Sequence, residues 1–231
     1  MHSDTLELLI KARESGIPVV LVTCLSNGEQ SLFYMDGEIQ GSELTPSRIN
    51  LARKALQNDR CFVDEGNGEK FFFHPYNPPL RLIVVGAVHI TQDLVVLART
   101  CGFKVTLVDP REAFATDQRF PDVTIMKQWP QDALRILKPD ARTAVVTLSH
   151  DPKIDDPALE TALRSEAFYI GALGSKKTQH SRLTRLNTAG FTPEECRRIN
   201  GPIGLAIGAQ SPAEIAVSIM AQIIQTLRNR Q

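Results

Sequence analysis

Two glycine-bearing turns, two histidines and two aspartates carry the chemistry this chain could do. The run "LRLIVVGAVHITQ" at residues 80–92 delivers Gly86 at the end of an apolar segment and just before a helix-forming one. That is the place of a dinucleotide fingerprint, G-x-G-x-x-G, where the first glycine makes the tight turn and the second lets backbone approach a pyrophosphate. Gly86 keeps the first role. Val88 and Thr91 occupy the other two slots, so a branched side chain stands where the phosphate bridge would lie and bulk where helix meets sheet. Asp109 follows 23 positions after Gly86 in "TLVDPR" (109 minus 86), at the spacing of an acid that binds ribose hydroxyls. It could equally close a turn through Asp-Pro. His89 could face the same crevice or simply begin a helix.

A second turn is more intact. "YIGALGSKKTQHSRL", residues 169–183, supplies Gly171 and Gly174, then Ser175 as a helix cap, then Lys176 and Lys177. Backbone N–H groups at a helix start with cations beside them make an anion site; an ordinary capped helix with solvated lysines is the plainer reading. In "LSHDPKIDDP", residues 148–157, His150 and Asp151 emerge after a strand as candidate catalytic groups, His150 for proton transfer and Asp151 to orient it. Asp155 or Asp156 is expected to cap a helix opening at Pro157. No histidine and carboxylate set has metal-ligand spacing, so no metal site is expected.

The elements that must hold these residues alternate. Strands are expected at Leu82–Val85, Lys104–Val108, Val123–Ile125, Thr143–Leu148 and Ala167–Ile170, with helices at Ile90–Cys101, Gln131–Leu137 and Pro157–Arg164. Strands apolar on both faces indicate a parallel sheet covered by helices. The fold class is therefore α/β, a C-terminal Rossmann-like doubly wound parallel sheet over residues 80–231. "TPEE" at 192–195 and "SPAE" at 211–214 are capping boxes, the second opening a wide-striped apolar helix from Pro212 to about Leu227. The glycine-rich loop between them, residues 201–208, suits either a close contact or a plain connection.

Before the proline-rich break "HPYNPPLR", residues 74–81, lies a smaller α/β domain, residues 1–76. Its strands are expected at Ile17–Thr23 and Ser31–Tyr34 around Asn27–Gly28, with a helix at Pro46–Gln57 and a hairpin joining Cys61–Asp64 to Lys70–Phe73. The N-terminus reads as an amphipathic helix carrying Leu6, Leu8, Leu9 and Ile10. Lysine plus arginine balances aspartate plus glutamate at 26 each, which removes any charge-driven pull to nucleic acid or membrane. With no apolar run of about 20 residues and no signal-like start, a cytoplasmic location is expected. The four cysteines lack C-x-x-C spacing and read as buried free thiols, with a functional thiol for sulfur transfer as the alternative.

The blocks "LIVVGAVHIT", "VTLVDPREAFATDQRFPD", "VVTLSHDPKIDDPAL", "YIGALGSKKTQHSRL" and "GPIGLAIGAQSPAEIAVSIMAQI" resemble, in order, the xanthine dehydrogenase accessory family (XdhC/CoxI type), the molybdenum hydroxylase maturation factors. The resemblance implies a chaperone that binds the molybdenum cofactor (molybdopterin), assists its sulfuration and delivers it to a molybdenum hydroxylase client. It places Gly86, Val88, His89, Asp109, Gly171, Gly174, Ser175 and Lys176 at the cofactor. The chain departs from the family at Val88, at Ala206, and in "GSELTPSR", which stands where family members carry a cysteine. Two other readings remain: an NAD(P)-dependent oxidoreductase with His150 as proton donor, and a protein-binding module using the last helix. A homodimer is expected from the prevalence of twofold assemblies.

Overall fold

The computed structural model describes residues 3–66 and 68–229. Two compact units meet in sequence between Pro78 and Pro79.

In the first unit, β1 (Val19–Cys24), β2 (Gln30–Tyr34), β3 (Ile39–Gly41), β4 (Phe62–Gly66) and β5 (Glu69–Tyr76) form an antiparallel sheet in the order β3-β2-β1-β5-β4. The unbroken apolar run of β1 has two covers. Val20, Val22 and Cys24 pack with Ala52, Ala55 and Leu56 of α2 (Pro46–Asn58), while Val19 and Leu21 pack with Leu9 and Ala12 of α1 (Ser3–Glu14). Only part of the expected α1 stripe is inside: Leu6 and Ile10 are exposed. The break expected over residues 74–81 contains the boundary between the units, but its first residues belong to a strand. β5 continues through His74 and Pro75 to Tyr76, paired with β1. Pro75 is tolerated because β4 begins only at Phe62, opposite Phe73, so beyond that point β5 has no β4 partner on that side.

The second unit is a six-stranded parallel sheet in the order β11-β10-β9-β6-β7-β8. Its strands are β6 (Arg81–Val85), β7 (Lys104–Val108), β8 (Thr124–Met126), β9 (Thr143–Thr147), β10 (Tyr169–Ala172) and β11 (Ile199–Asn200). Alternation along β6 divides the core. Leu82 and Val84 join α3 (His89–Thr100) and α8 (Pro212–Arg228) on one face. Ile83 and Val85 join α4 (Pro130–Leu137) and α5 (Pro152–Leu163) on the other, with Leu186 of α6 (Lys176–Thr188). The chain runs outward from β6 to β7 and β8, then returns to β9 on the opposite side. The doubly wound expectation holds, and the loops leaving β6 and β9 diverge at the topological switch point, where such sheets bind ligands.

One helix start differs from expectation. α5 opens at Pro152, not Pro157, with Asp151 as its cap accepting from Lys153 N–H at 2.9 Å. Both Asp-Pro pairs carry a start signal. The earlier one prevails, and Pro157 costs the helix one hydrogen bond near its beginning. Asp155 and Asp156 are thereby freed from capping. Two expected buried thiols, Cys24 and Cys196, are inside, whereas Cys61 and Cys101 are exposed. No described helix is long and apolar enough to cross a membrane.

Candidate functional site

Gly86 has φ +111°, and a Cβ there would stand 2.7 Å from Ser149 N. Both facts demand glycine: the left-handed backbone disfavours a side chain, and the β9–α5 loop presses against the turn. Thr91 is not mere bulk. Fully buried, it donates its hydroxyl to Gly86 O at 2.6 Å and so satisfies the turn's carbonyl. Val88 is the cap residue of α3 and gives no side-chain cap bond. Its side chain is half-buried and packs against the core formed with α3 and α8. His89 opens α3 and is exposed.

Asp109 has no exposed surface. Its Oδ2 accepts from Ala87 N–H at 2.7 Å and from Arg111 Nη2 at 2.7 Å. Its Oδ1 accepts from Arg111 N–H and Nε, each at 2.9 Å. Burial alone would raise the carboxyl pKa; the bonds from Arg111 and Ala87 outweigh it and hold the group below the usual carboxylate range. Arg119 grips the same turn from the other side, donating Nη1 to Ala87 O at 3.1 Å and to Phe114 O at 2.8 Å. The Gly86–Val88 turn is thus clamped at both polar groups of one peptide residue, Ala87.

The β9–α5 loop is held by a buried acid. Asp155, 2% exposed, accepts Ser149 N–H at 3.2 Å and the Ser149 hydroxyl at 2.7 Å. Burial pushes its pKa up against those bonds. Between them His150 is exposed and takes φ +62°, a conformation rare for a side chain of this size. The hydrogen bonds and charge of Asp109 raise the pKa of Arg111, and the charges of Asp151 and Asp155 add to it in smaller measure.

At β10 the two glycines separate. Gly171 is buried inside the strand, where a Cβ would meet Ile203 Cδ1 at 2.5 Å and Tyr169 at 2.7 Å, so packing explains it. Gly174, at φ +148°, leads to Ser175, which caps α6 by accepting from Thr178 N–H at 3.2 Å. Lys176 and Lys177 are exposed on the first turn of α6. Behind them Arg182, 2% exposed, donates to Gln179 Oε1 at 2.6 Å and Leu173 O at 2.8 Å. Gly201 and Gly204 of the later loop lie against Gln179 and Ser218 respectively, which accounts for both by internal packing.

The structure therefore brings Gly86, Asp109 and the His150–Asp151 pair to one edge of the sheet, with Gly174–Lys176 at the end of the neighbouring strand β10. Sequence spacing did not single out Arg111, Arg119, Ser149 or the buried role of Asp155. The only signal was arginine two residues after Asp109, in register for a fork on its carboxylate. Among the described residues no group of three or more His, Cys, Asp or Glu side chains could hold a metal ion.

Strand order, with the reversal between β6 and β9, defines the second unit as a Rossmann-type domain. Residues 82–223, more than half of the chain, match the XdhC Rossmann domain, and the protein belongs to that family. It is 33% identical over 156 residues (67% of this chain) to a Bacillus subtilis protein described as a probable xanthine dehydrogenase component. Over 148 residues (64% of this chain) it is 29% identical to the molybdenum cofactor insertion chaperone PaoD of Escherichia coli. A crystal structure of a Bacillus halodurans protein, described as a xanthine dehydrogenase, superposes with a TM-score of 0.76 at 31% identity, covering 99% of this chain and 65% of that one. The chain spans 45% and 40% of the two curated relatives' lengths.

Proposed function

We propose that this protein is a maturation factor for a xanthine dehydrogenase-like molybdenum hydroxylase, binding the molybdenum cofactor at the switch point and assisting its sulfuration and insertion. The observation that carries the reading is the crevice edge itself in a chain of this family. The α3 start offers backbone N–H groups with no side-chain cap, and the α6 start adds Lys176 and Lys177. Molybdopterin carries a phosphate, and helix starts suit an anion, α3 through N–H groups that no side chain caps and α6 through its adjacent lysines beside the Ser175 cap. The names of the Bacillus subtilis and Escherichia coli relatives support the same role. When bound, the cofactor supplies the redox-active molybdenum that the client enzyme needs. This chain's residues bind and orient it: Gly86 and His89 at one turn, Gly174, Ser175 and Lys176 at the other. We place the protein in the cytoplasm as a homodimer.

The test is anaerobic gel filtration of the purified protein with molybdenum cofactor. Co-elution is expected, weakened about tenfold by the double replacement Lys176→Ala and Lys177→Ala. Absence of binding by the unaltered protein would sink the proposal. The oxidoreductase reading draws support from strand order and from His150 at the crevice. Fluorescence titration with NADH and NADPH decides it, since a dehydrogenase must bind one of them below millimolar concentration.

A further inference from the structure

In a dinucleotide-binding sheet the acid after the second strand reads the ribose by accepting hydrogen bonds from its diol. A carboxylate has about four acceptor sites. Asp109 already accepts four bonds, from Ala87 N–H and from Arg111 N–H, Nε and Nη2. It is also wholly buried, so no acceptor faces the crevice. What does reach solvent at this station is Arg111, whose side chain is 34% exposed. A guanidinium has five N–H donors, and Asp109 engages only Nε and one hydrogen of Nη2. The remaining donors, on Nη1 and Nη2, are available for a ligand. Phe114 lies under the guanidinium, with its ring centroid 4.9 Å from Cζ, and fixes its plane. Arg119, bonded to Phe114 O and Ala87 O, brings a second guanidinium to the same turn.

We propose that Arg111 is a specificity-determining residue: its fork on Asp109 closes the station to a ribose diol and opens it to a phosphate monoester. Arginine forks match phosphate oxygens in geometry as well as charge. The charges of Asp151 and Asp155 act on the same guanidinium and temper the attraction, so a moderate preference is expected. Val88 is not the barrier in this account, because its side chain packs on the core. The inference goes beyond the maturation reading and its probes contain no pterin, so either can fail without the other.

Two probes that differ only in a 2′-phosphate isolate the effect. Calorimetric titration of the full chain with adenosine 2′,5′-bisphosphate and with adenosine 5′-monophosphate should give binding about tenfold tighter for the bisphosphate. Arg111→Ala should erase that preference and tighten the monophosphate, because Asp109 regains acceptors for the diol. Arg111→Gln, which retains one donor for Asp109, should reduce the preference in the same direction and serves if the alanine variant does not fold. Equal binding of the two probes by the unaltered protein overturns the proposal. So does no binding of the bisphosphate at millimolar concentration, or a preference that survives in the folded variants.

Discussion

A carboxylate with no exposure survives in a fold only if donors replace its water, and Asp109 has them from Ala87 and Arg111. Asp109→Asn keeps one acceptor for Ala87 N–H but loses the charge that holds Arg111. Unfolding in urea at neutral pH should show a loss of about 1.5–3 kcal/mol, the range for hydrogen bonds to charged groups. The pH dependence follows from the sign of the shift. A folded-state pKa held below the unfolded value gives stability that is present above the unfolded pKa and lost as pH falls through the folded one. The unaltered protein should therefore lose part of its advantage over Asp109→Asn in acid; a constant gap across that window would exclude the ionised pair as its source. Asp155 has the opposite sign, since burial raises its pKa: its contribution is complete in acid and fades as pH rises through the folded value. Gly86→Ala meets both a positive φ and Ser149 N at 2.7 Å, and should cost at least about 1–3 kcal/mol by the same urea measurement. Gly86 and Asp109 were legible from spacing alone. Their partners were not, because which side chain folds back on a carboxylate depends on torsions that a one-dimensional pattern does not encode.

Helices and strands of the second unit were the most readable level, since the central strands are apolar on both faces and the starts of α5, α6 and α8 carry side-chain caps at Asp151, Ser175 and Ser211. β7 matches its expected span, and β6 and β8 shift by a residue at one or both ends. β3 and β11, with three residues and two, are too short to display a period. The two capping boxes formed as their spacing indicates, with Thr192 and Ser211 each accepting from the N–H of a glutamate three residues on, whose carboxylate returns to the cap backbone. Ser211 matters more than an isolated cap, because α8 packs along α3 and closes one face of the sheet. Ser211→Ala should cost about 1 kcal/mol in thermal or urea unfolding. A Ser211→Gly change, which spares most of the backbone geometry of a cap, should cost only a few tenths. Both replacements remove the hydroxyl that accepts from Glu214 N–H, so equal losses would assign the whole cost to that hydrogen bond and none to backbone geometry and solvation at the cap.

At the scale of the molecule, the question is whether the parallel sheet of the second unit is self-sufficient. Each apolar cluster draws its residues from one unit: two are built wholly from residues after Pro79 and two wholly from residues before it. The clusters of the second unit cover both faces of its sheet, and Tyr169, Leu82, Leu94, Leu134, Leu148 and Leu159 within it are almost fully buried. A unit of roughly 150 residues buries about two thirds of the surface its unfolded chain exposes, enough for a cooperative fold. Every residue that clamps the Gly86 turn and the β9–α5 loop also lies in this unit. Residues 79–231 produced alone should therefore give a single cooperative urea transition with an intact near-ultraviolet circular dichroism signal from fixed aromatic packing. They should also retain the preference for adenosine 2′,5′-bisphosphate over the 5′-monophosphate. A broad transition with helical signal but no aromatic signal would mark a molten state, and would mean that the sheet needs the first unit to fix its packing. A sharp transition without the phosphate preference would locate part of the specificity outside the Rossmann unit, in residues before Pro79.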